Sequence, residues 1–487
     1  MKKKIISILI LIFFAVFTMD AFAQSYVFEK NNDKIKVQPV VSVNAYAFNL
    51  KDVKITEGIF LKAMMLDAAY LLSLKPDRFL NRFMLNVGLK PKDSIYGGWE
   101  SLGVSGHSLG HYLSACAMMY ASSGDLEFKK RVNYIVDELA LCQQKRNTGY
   151  VGAIAGEDSI FAKVSRGDIS SAGFDLNGCW VPWYTIHKVL AGLADAYLYC
   201  DNKNALTILV KFAVWIEFTT QNLNKAQWQT MLAAEHGGMN EVLANLYSFT
   251  GNKKFLALAE NFYHQLLLDP LANKRDELAG KHANTQIPKV IGMARLYELT
   301  GINNDKTIAD FFWNTVVKHH SYVIGGNSNF EHFNEPDKLN DHMGTNTTET
   351  CNTYNMLKLT RHLFGWQPNA AYMDYYERAL YNHILASQNI HDGMMCYFIP
   401  LQAGTVKQFN TPFQSFCCCT GSGMENHVKY GEQIYSEGAD GSLYVNLFIP
   451  SILQWKNKNV SIEQQTNYPE ADKTSLIIHA KKTLHLK

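Results

Sequence analysis

The stretch "MNEVLANLYSFTGNKKFLALAENFYHQLL", residues 239–267, reads as an amphipathic helix with a Tyr near its end, a short Gly-Asn turn, and a second helix. The same unit recurs at 111–142 ("HYLSACAMMYASSGDLEFKKRVNYIVDELALC"), 187–218, 287–317 and 350–385. A helical pair cannot bury its apolar face alone, so successive pairs must stack on one another. The segment 58–74 supplies a helix before the first copy, and 424–437 one after the fifth. That makes twelve helices in six pairs, the number expected of a closed (α/α)6 toroid, or barrel.

Closing the ring puts one helix of each pair inside, with the N-terminal ends of the inner set on a shared face. The loops leading into those helices are therefore expected to build a pocket. They carry Gly106-His107 and His111, Trp183 to His187, Glu235 to Gly238, Lys281-His282, and Glu349 with Cys351. One His in one such loop is usually structural; His or Glu at the same place in copy after copy points to a functional cluster.

Either side of the helical region the pattern changes. Residues 1–23 combine three lysines, an apolar run from Ile5 to Phe17 and Ala21-Phe22-Ala23, which fits a cleaved export signal and so a periplasmic or secreted protein. The run falls short of the roughly 20 residues that span a bilayer. Cleavage would remove three lysines and one aspartate, taking the formal charge from +2 to 0. A neutral surface argues against nucleic acid or an anionic membrane as partner. An aromatic share of 12% suits sugar binding. After Gly438 the period falls to two, with strands read in 441–455, 459–469 and 474–482. The expected organisation is a signal peptide over 1–23, an (α/α)6 catalytic barrel over 24–437 and a partial all-β sandwich over 438–487. Three strands make a poor independent domain, so the sandwich reads as truncated at Lys487, with apolar faces and an open edge that limit solubility.

Nine cysteines follow residue 23. Cys116, Cys142 and Cys200 lie in apolar helical context and read as buried thiols. The triplet Cys417-Cys418-Cys419 stands among Thr420, Gly421, Ser422 and Gly423, which reads as a loop. Zinc takes four Cys, His, Asp or Glu ligands, and Glu349 with Cys351 is the other close cysteine-carboxylate pair. A Glu-Cys-Cys-Cys zinc site competes with a disulfide from Cys351 to the triplet, a vicinal disulfide and plain buried thiols.

The stretches "YGGWE" (96–100), "GHSLGHYLSA" (106–115), "GGNSNFEHF" (325–333), "TETCNTYNMLKL" (348–359), "YYERALYNHILAS" (375–387) and "CCTGSGMENHVKY" (418–430) resemble the zinc-cysteine glycoside hydrolases. These are the β-L-arabinofuranosidases of family 127 and its relative 146. The resemblance runs from about Asp52 to the C-terminus and implies an (α/α)6 barrel followed by β-sandwich modules. It also implies a retaining hydrolase that removes terminal β-L-arabinofuranosyl residues from plant-type glycans. Carried over by motif, it makes Cys418 the nucleophile, Glu331 of "NFEHF" the general acid/base, and Glu349, Cys351, Cys418 and Cys419 the Zn2+ ligands. Sugar contacts fall on His187, His282, Glu377 and Tyr397. Cys417 stands where relatives often carry an aromatic residue. His107, His111, His236 and Trp99 are pocket candidates by position only.

Two other readings differ in what they need. Another α/α-toroid enzyme, such as a sugar epimerase or an unsaturated uronyl hydrolase, needs no metal thiolates. An inactive carbohydrate-binding fragment needs no intact Glu331, Glu349, Cys351, Cys418 and Cys419.

Overall fold

The structure, a computed structural model, describes residues 29–30 and 32–480, so the export signal read over 1–23 lies outside the described residues. Helix α1 (Gly58–Ser73) leads into five pairs: α2 (His107–Ser123) with α3 (Leu126–Arg146), α4 (Pro182–Cys200) with α5 (Lys203–Thr220), α6 (Met239–Thr250) with α7 (Lys253–Asn261), α8 (Ala283–Thr300) with α9 (Asn303–Thr315), and α10 (Thr350–Trp366) with α11 (Ala370–Ala379). Helix α12 (Cys418–Asn426) comes last. Each even-numbered helix packs on the next, and α12 packs on both α10 and α2, which closes a ring of six inner helices. Helices α3, α5, α7, α9 and α11 each pack outside the inner helix that precedes them. This is an α/α toroid.

The pairs form because the turns between them are chemically specified. Helix α2 ends on Gly124 (φ 77°), α4 on Asp201 (φ 59°) and α6 on Gly251 (φ 73°), all left-handed residues that terminate a helix. The next residue then caps the outer helix: Asp125 accepts from Glu127 N–H, Asn202 from Ala205 N–H and Asn252 from Lys254 N–H. The inner helices are buried on nearly every side, α12 most completely, with every residue buried. Helices α2 and α4 approach so closely that a Cβ on Gly110 would stand 2.2 Å from the Lys188 carbonyl oxygen.

The last inner helix departs from the sequence reading. The cysteine triplet is not in a loop: Cys417 is the N-cap and Cys418 and Cys419 form the first turn of α12. The helix expected over 424–437 stops at Asn426, and a 3-10 turn, Tyr430–Gln433, leads into a strand. Gly421, Ser422 and Gly423 are weak helix formers, which hides α12 in the sequence. Packing requires them nonetheless, because a Cβ at Gly421 would lie 2.3 Å from the His111 ring and one at Gly423 2.4 Å from Met395.

The strands tie the two ends of the chain together. Strands β1 (Ala45–Ala47) and β2 (Val53–Ile55) precede the ring; β3 (Tyr435–Gly438), β4 (Leu443–Val445), β5 (Ser451–Trp455), β6 (Val460–Thr466) and β7 (Thr474–Ala480) follow it. One sheet runs β1-β3-β4 and another β7-β6-β5-β2, all antiparallel, with Ala45 opposite Gly438 and Val53 opposite Leu453. The segment 441–455 is thus two strands in different sheets, separated at Pro450. Among the described residues no helix is long and apolar enough to cross a membrane.

Candidate active site

Four of the six inner helices bring pocket residues with their N-terminal ends, and a fifth sets Glu349 beside Cys418. Val181 caps α4, Gly238 follows Glu235 into α6, His282 caps α8, Glu349 caps α10 and Cys418 opens α12. A cavity of about 110 Å³ lies between them, and Glu235, His282, Glu331, Tyr397 and Cys418 all face it. Helix N-termini carry partial positive charge, which suits a pocket lined by carboxyl and thiol groups.

Cys418 is buried at the bottom. Its sulfur lies 3.8 Å from Glu349 Oε1, 3.9 Å from Cys419 Sγ and 3.3 Å from the Tyr397 hydroxyl. Cys419 Sγ is 3.8 Å from Glu349 Oε1 and 3.1 Å from Cys351 Sγ, which also meets Ser422 Oγ at 3.1 Å. All nine cysteines are free thiols, so neither disulfide reading describes this arrangement. The donor atoms of Glu349, Cys351, Cys418 and Cys419 lie within 4.8 Å of one another, a group that could hold a metal ion. Two sulfurs bound tetrahedrally at about 2.3 Å from one zinc stand about 3.8 Å apart. The Cys418–Cys419 separation is close to that length, and the Cys351–Cys419 pair would widen to it. Burial pushes the Cys418 and Cys419 thiols well up, and burial with the neighbouring Cys418, Glu331 and Glu235 does the same to Glu349. Glu349 Oε2 is buried with no hydrogen-bond partner. Four acidic groups packed together with an orphaned oxygen fit a cation at their centre.

Across the pocket, the Tyr397 hydroxyl donates to Glu331 Oε1. His282 Nε2 stands 3.8 Å from Glu331 Oε2. His282 Nδ1 accepts from the Thr285 backbone N–H, so the ring's other nitrogen carries its proton toward Glu331. The neighbouring His282 imidazole, aided by the Tyr397 hydroxyl, holds Glu331 below the usual carboxylate range against the opposing effect of burial. Burial keeps Tyr397 neutral by pushing its pKa far up, as do Cys418 and Glu349. The loop carrying Glu331 is conformationally costly, with Ser328 (φ 77°), Phe330 (φ 47°) and Glu331 (φ 68°) all left-handed. It is pinned by the Ala283 N–H, which donates to the Glu331 carbonyl at 2.7 Å.

Not every residue expected at the site is there. Glu377 sits half-buried on α11, where it accepts from the Tyr468 hydroxyl at 3.3 Å, and it does not line the pocket. An outer helix faces away from the ring axis, so the sugar contact read for Glu377 is not supported by its position. His187 is buried on α4 but lines a separate, smaller cavity inside the ring with Lys188, Glu241, Lys358 and Glu425. Trp99 does line the pocket, whereas His107, His111 and His236 pack beneath it. His111 Nδ1 meets Glu425 Oε1 at 2.5 Å, His107 Nδ1 the Val104 carbonyl at 2.8 Å and His236 Nδ1 the Ala234 carbonyl at 3.1 Å. Cys417 stays apart from the four metal-ligand candidates, its sulfur 3.5 Å from Thr420 Oγ1.

Four pocket residues escaped the sequence reading altogether: Phe174, Trp180, Val181 and Asn284. Phe174 lies in the first turn, and Trp180 in the last strand, of a three-strand meander over 171–180. The run "SSAGFDLNGCW" carries turn residues at hairpin spacing that mark it.

A family model described as the β-L-arabinofuranosidase GH127 catalytic domain matches residues 52–432, and the GH127 middle domain matches 442–487. A non-reducing end β-L-arabinofuranosidase of Bifidobacterium longum is 20% identical over 405 residues, covering 74% of this chain and 59% of its own. The chain thus spans about three fifths of that relative's length. Among solved structures, a GH127 β-L-arabinofuranosidase from Geobacillus stearothermophilus T6 aligns with a TM-score of 0.68 at 18% identity, over 88% of this chain and 73% of its own. A GH127 β-arabinofuranosidase aligns at 0.66 and 18% identity, over 92% and 70%. At such identity these structures speak to the fold.

Proposed function

The chain belongs to glycoside hydrolase family 127, the β-L-arabinofuranosidase family, and from that premise we propose that it is an exported, retaining hydrolase of terminal β-L-arabinofuranosyl residues on plant-type glycans. Cys418 is the nucleophile and Glu331 the acid/base. In the first step the Cys418 sulfur attacks the anomeric carbon, the glycosidic C–O bond breaks, and the departing oxygen takes the proton from Glu331. The sugar is then held on Cys418 as a thioglycoside. In the second step the Glu331 carboxylate takes a proton from water, whose oxygen displaces sulfur from the anomeric carbon. Two displacements return the original configuration, and Cys418 leaves as thiolate.

Zn2+ bound by Glu349, Cys351, Cys418 and Cys419 would supply the positive charge that keeps the attacking sulfur deprotonated. Tyr397, neutral and hydrogen-bonded to Glu331, orients the acid, and both Tyr397 and His282 are placed to meet sugar hydroxyls. Export rests on the character of residues 1–23.

One observation carries this reading. A single hydroxyl, Tyr397, touches both Cys418 Sγ, at 3.3 Å, and Glu331, so nucleophile and proton donor share one small pocket. The test is release of L-arabinose from an aryl β-L-arabinofuranoside, beside α-L-arabinofuranosyl and β-galactosyl controls, with the anomer formed first followed by NMR. Arabinose of retained configuration from the first substrate is expected. Turnover of a control alone, or inverted product, would sink the proposal.

A further inference from the structure

A line of contacts leads out of the pocket from Glu331. The carboxylate faces His282, whose ring meets Phe174 edge-on with centres 5.1 Å apart and planes at 82°. Trp180 leans on Trp99 at the same mouth, with centres 5.1 Å apart. Both Phe174 and Trp180 line the pocket, yet they remain 40% and 36% exposed.

Their exposure follows from how the meander is anchored. Side chains alternate along its strands, so Leu176 and Cys179 point inward, Cys179 joining Ile154 and Ile160 in a small apolar cluster. Trp180, the neighbour of Cys179, must then face the other way, over the pocket. The chain enters α4 immediately afterwards through Val181, held at φ 40°, where a β-branched residue is strained. The strand backbone at Cys179–Trp180 sets the direction in which Trp180 leaves the chain. Two large aromatic faces kept in water at the mouth of a sugar pocket, by a rigid and locally strained support, suit a partner with a flat apolar face.

We propose that Phe174 and Trp180 form the leaving-group subsite, an aromatic platform for the C–H face of the glycosyl residue to which the terminal sugar is attached. The inference rests on the hydrolase reading above. The leaving oxygen has to meet Glu331 to be protonated, so the leaving group extends from the pocket on the Glu331 side. Phe174 lies on that side, one ring beyond His282. A glycosyl leaving group offers C–H bonds to the aromatic faces while its hydroxyls stay in water.

The test compares two substrates with one terminal sugar: β-L-arabinofuranosyl fluoride, whose leaving group is a single atom, and a β-L-arabinofuranosyl disaccharide. Phe174→Ala and Trp180→Ala should each lower kcat/KM on the disaccharide about three- to tenfold more than on the fluoride, and the double variant more still. Phe174→Tyr and Trp180→Phe should recover most of the loss, with melting curves checking that each variant folds. Equal losses on both substrates, or none on either, overturn the subsite and leave the hydrolase reading standing. So does a parent chain that cleaves the fluoride and not the disaccharide. A parent chain inactive on the fluoride overturns the hydrolase reading and the subsite with it.

Discussion

Tyr397 stands between the two groups on which turnover would depend, and the consequences of losing either differ. Glu331→Gln should lower kcat about 10²–10⁴-fold on glycan substrates. It should cost far less on an aryl glycoside with a very good leaving group, which needs no acid in the first step. Cys418→Ser should abolish turnover of both, as steady-state rates on the two substrates will tell; an active Cys418→Ser beside an inactive Cys417→Ser would shift the nucleophile by one residue. His282 gives a prediction in pH. Its imidazole beside Glu331 lowers the Glu331 pKa, so His282→Asn, which can still cap α8, should let that pKa rise under burial. Because Glu331 must be protonated to act as acid, the alkaline limb of kcat/KM should move to higher pH; a shift to lower pH would contradict the assignment. At this scale the helix start was readable for Glu349 and Cys351, which open a recognised repeat, and hidden for Cys418, whose surroundings read as a loop. The sequence was least readable where a side chain's direction decides, since nothing in "YYERALYN" says that Glu377 turns toward Tyr468.

Helix α12 shows what periodicity can and cannot reveal about an element. The paired helices were legible because three of the five inner-to-outer turns are written in two residues, a left-handed Gly or Asp and a capping Asp or Asn. Helix α12 has no such marker, and its glycines argue against a helix until their neighbours are known. Gly421 is the sharper case. Gly421→Ala improves local helix propensity but drives a methyl group into the His111 ring, which lies 2.3 Å from the Cβ position. The expected outcome is a net loss of about 1–3 kcal/mol in chemical denaturation, with activity falling as α12 tilts and Cys418 moves. A variant as stable as the parent would mean that His111 has room to yield. The meander over 171–180 was missed for a different reason: strands of two residues leave too short an alternation to detect.

The candidate metal ligands span the seam between α10 and α12, so a bound ion would hold two inner helices together as well as serve chemistry. Removing metal with a chelator should therefore lower the melting temperature by several degrees, and zinc alone should restore it. Calorimetry that found no difference would mean that the four side chains hold no ion. The toroid was legible as a whole because its repeats announce their number, while the pairing of β1 and β2 with strands that follow the ring was not, since three-residue strands carry no signal of their distant partners. Closure of the ring has one more consequence, in the order of events as the chain folds. Helix α12 docks on α2, which precedes it by most of the length of the toroid, and such distant contacts form late. Cys418 and Cys419 belong to that last piece, and only its docking brings them to Cys351 and Glu349. A chain still emerging from synthesis thus presents Glu349 and Cys351 before the proposed nucleophile, Cys418, and the candidate site is assembled only as the ring closes.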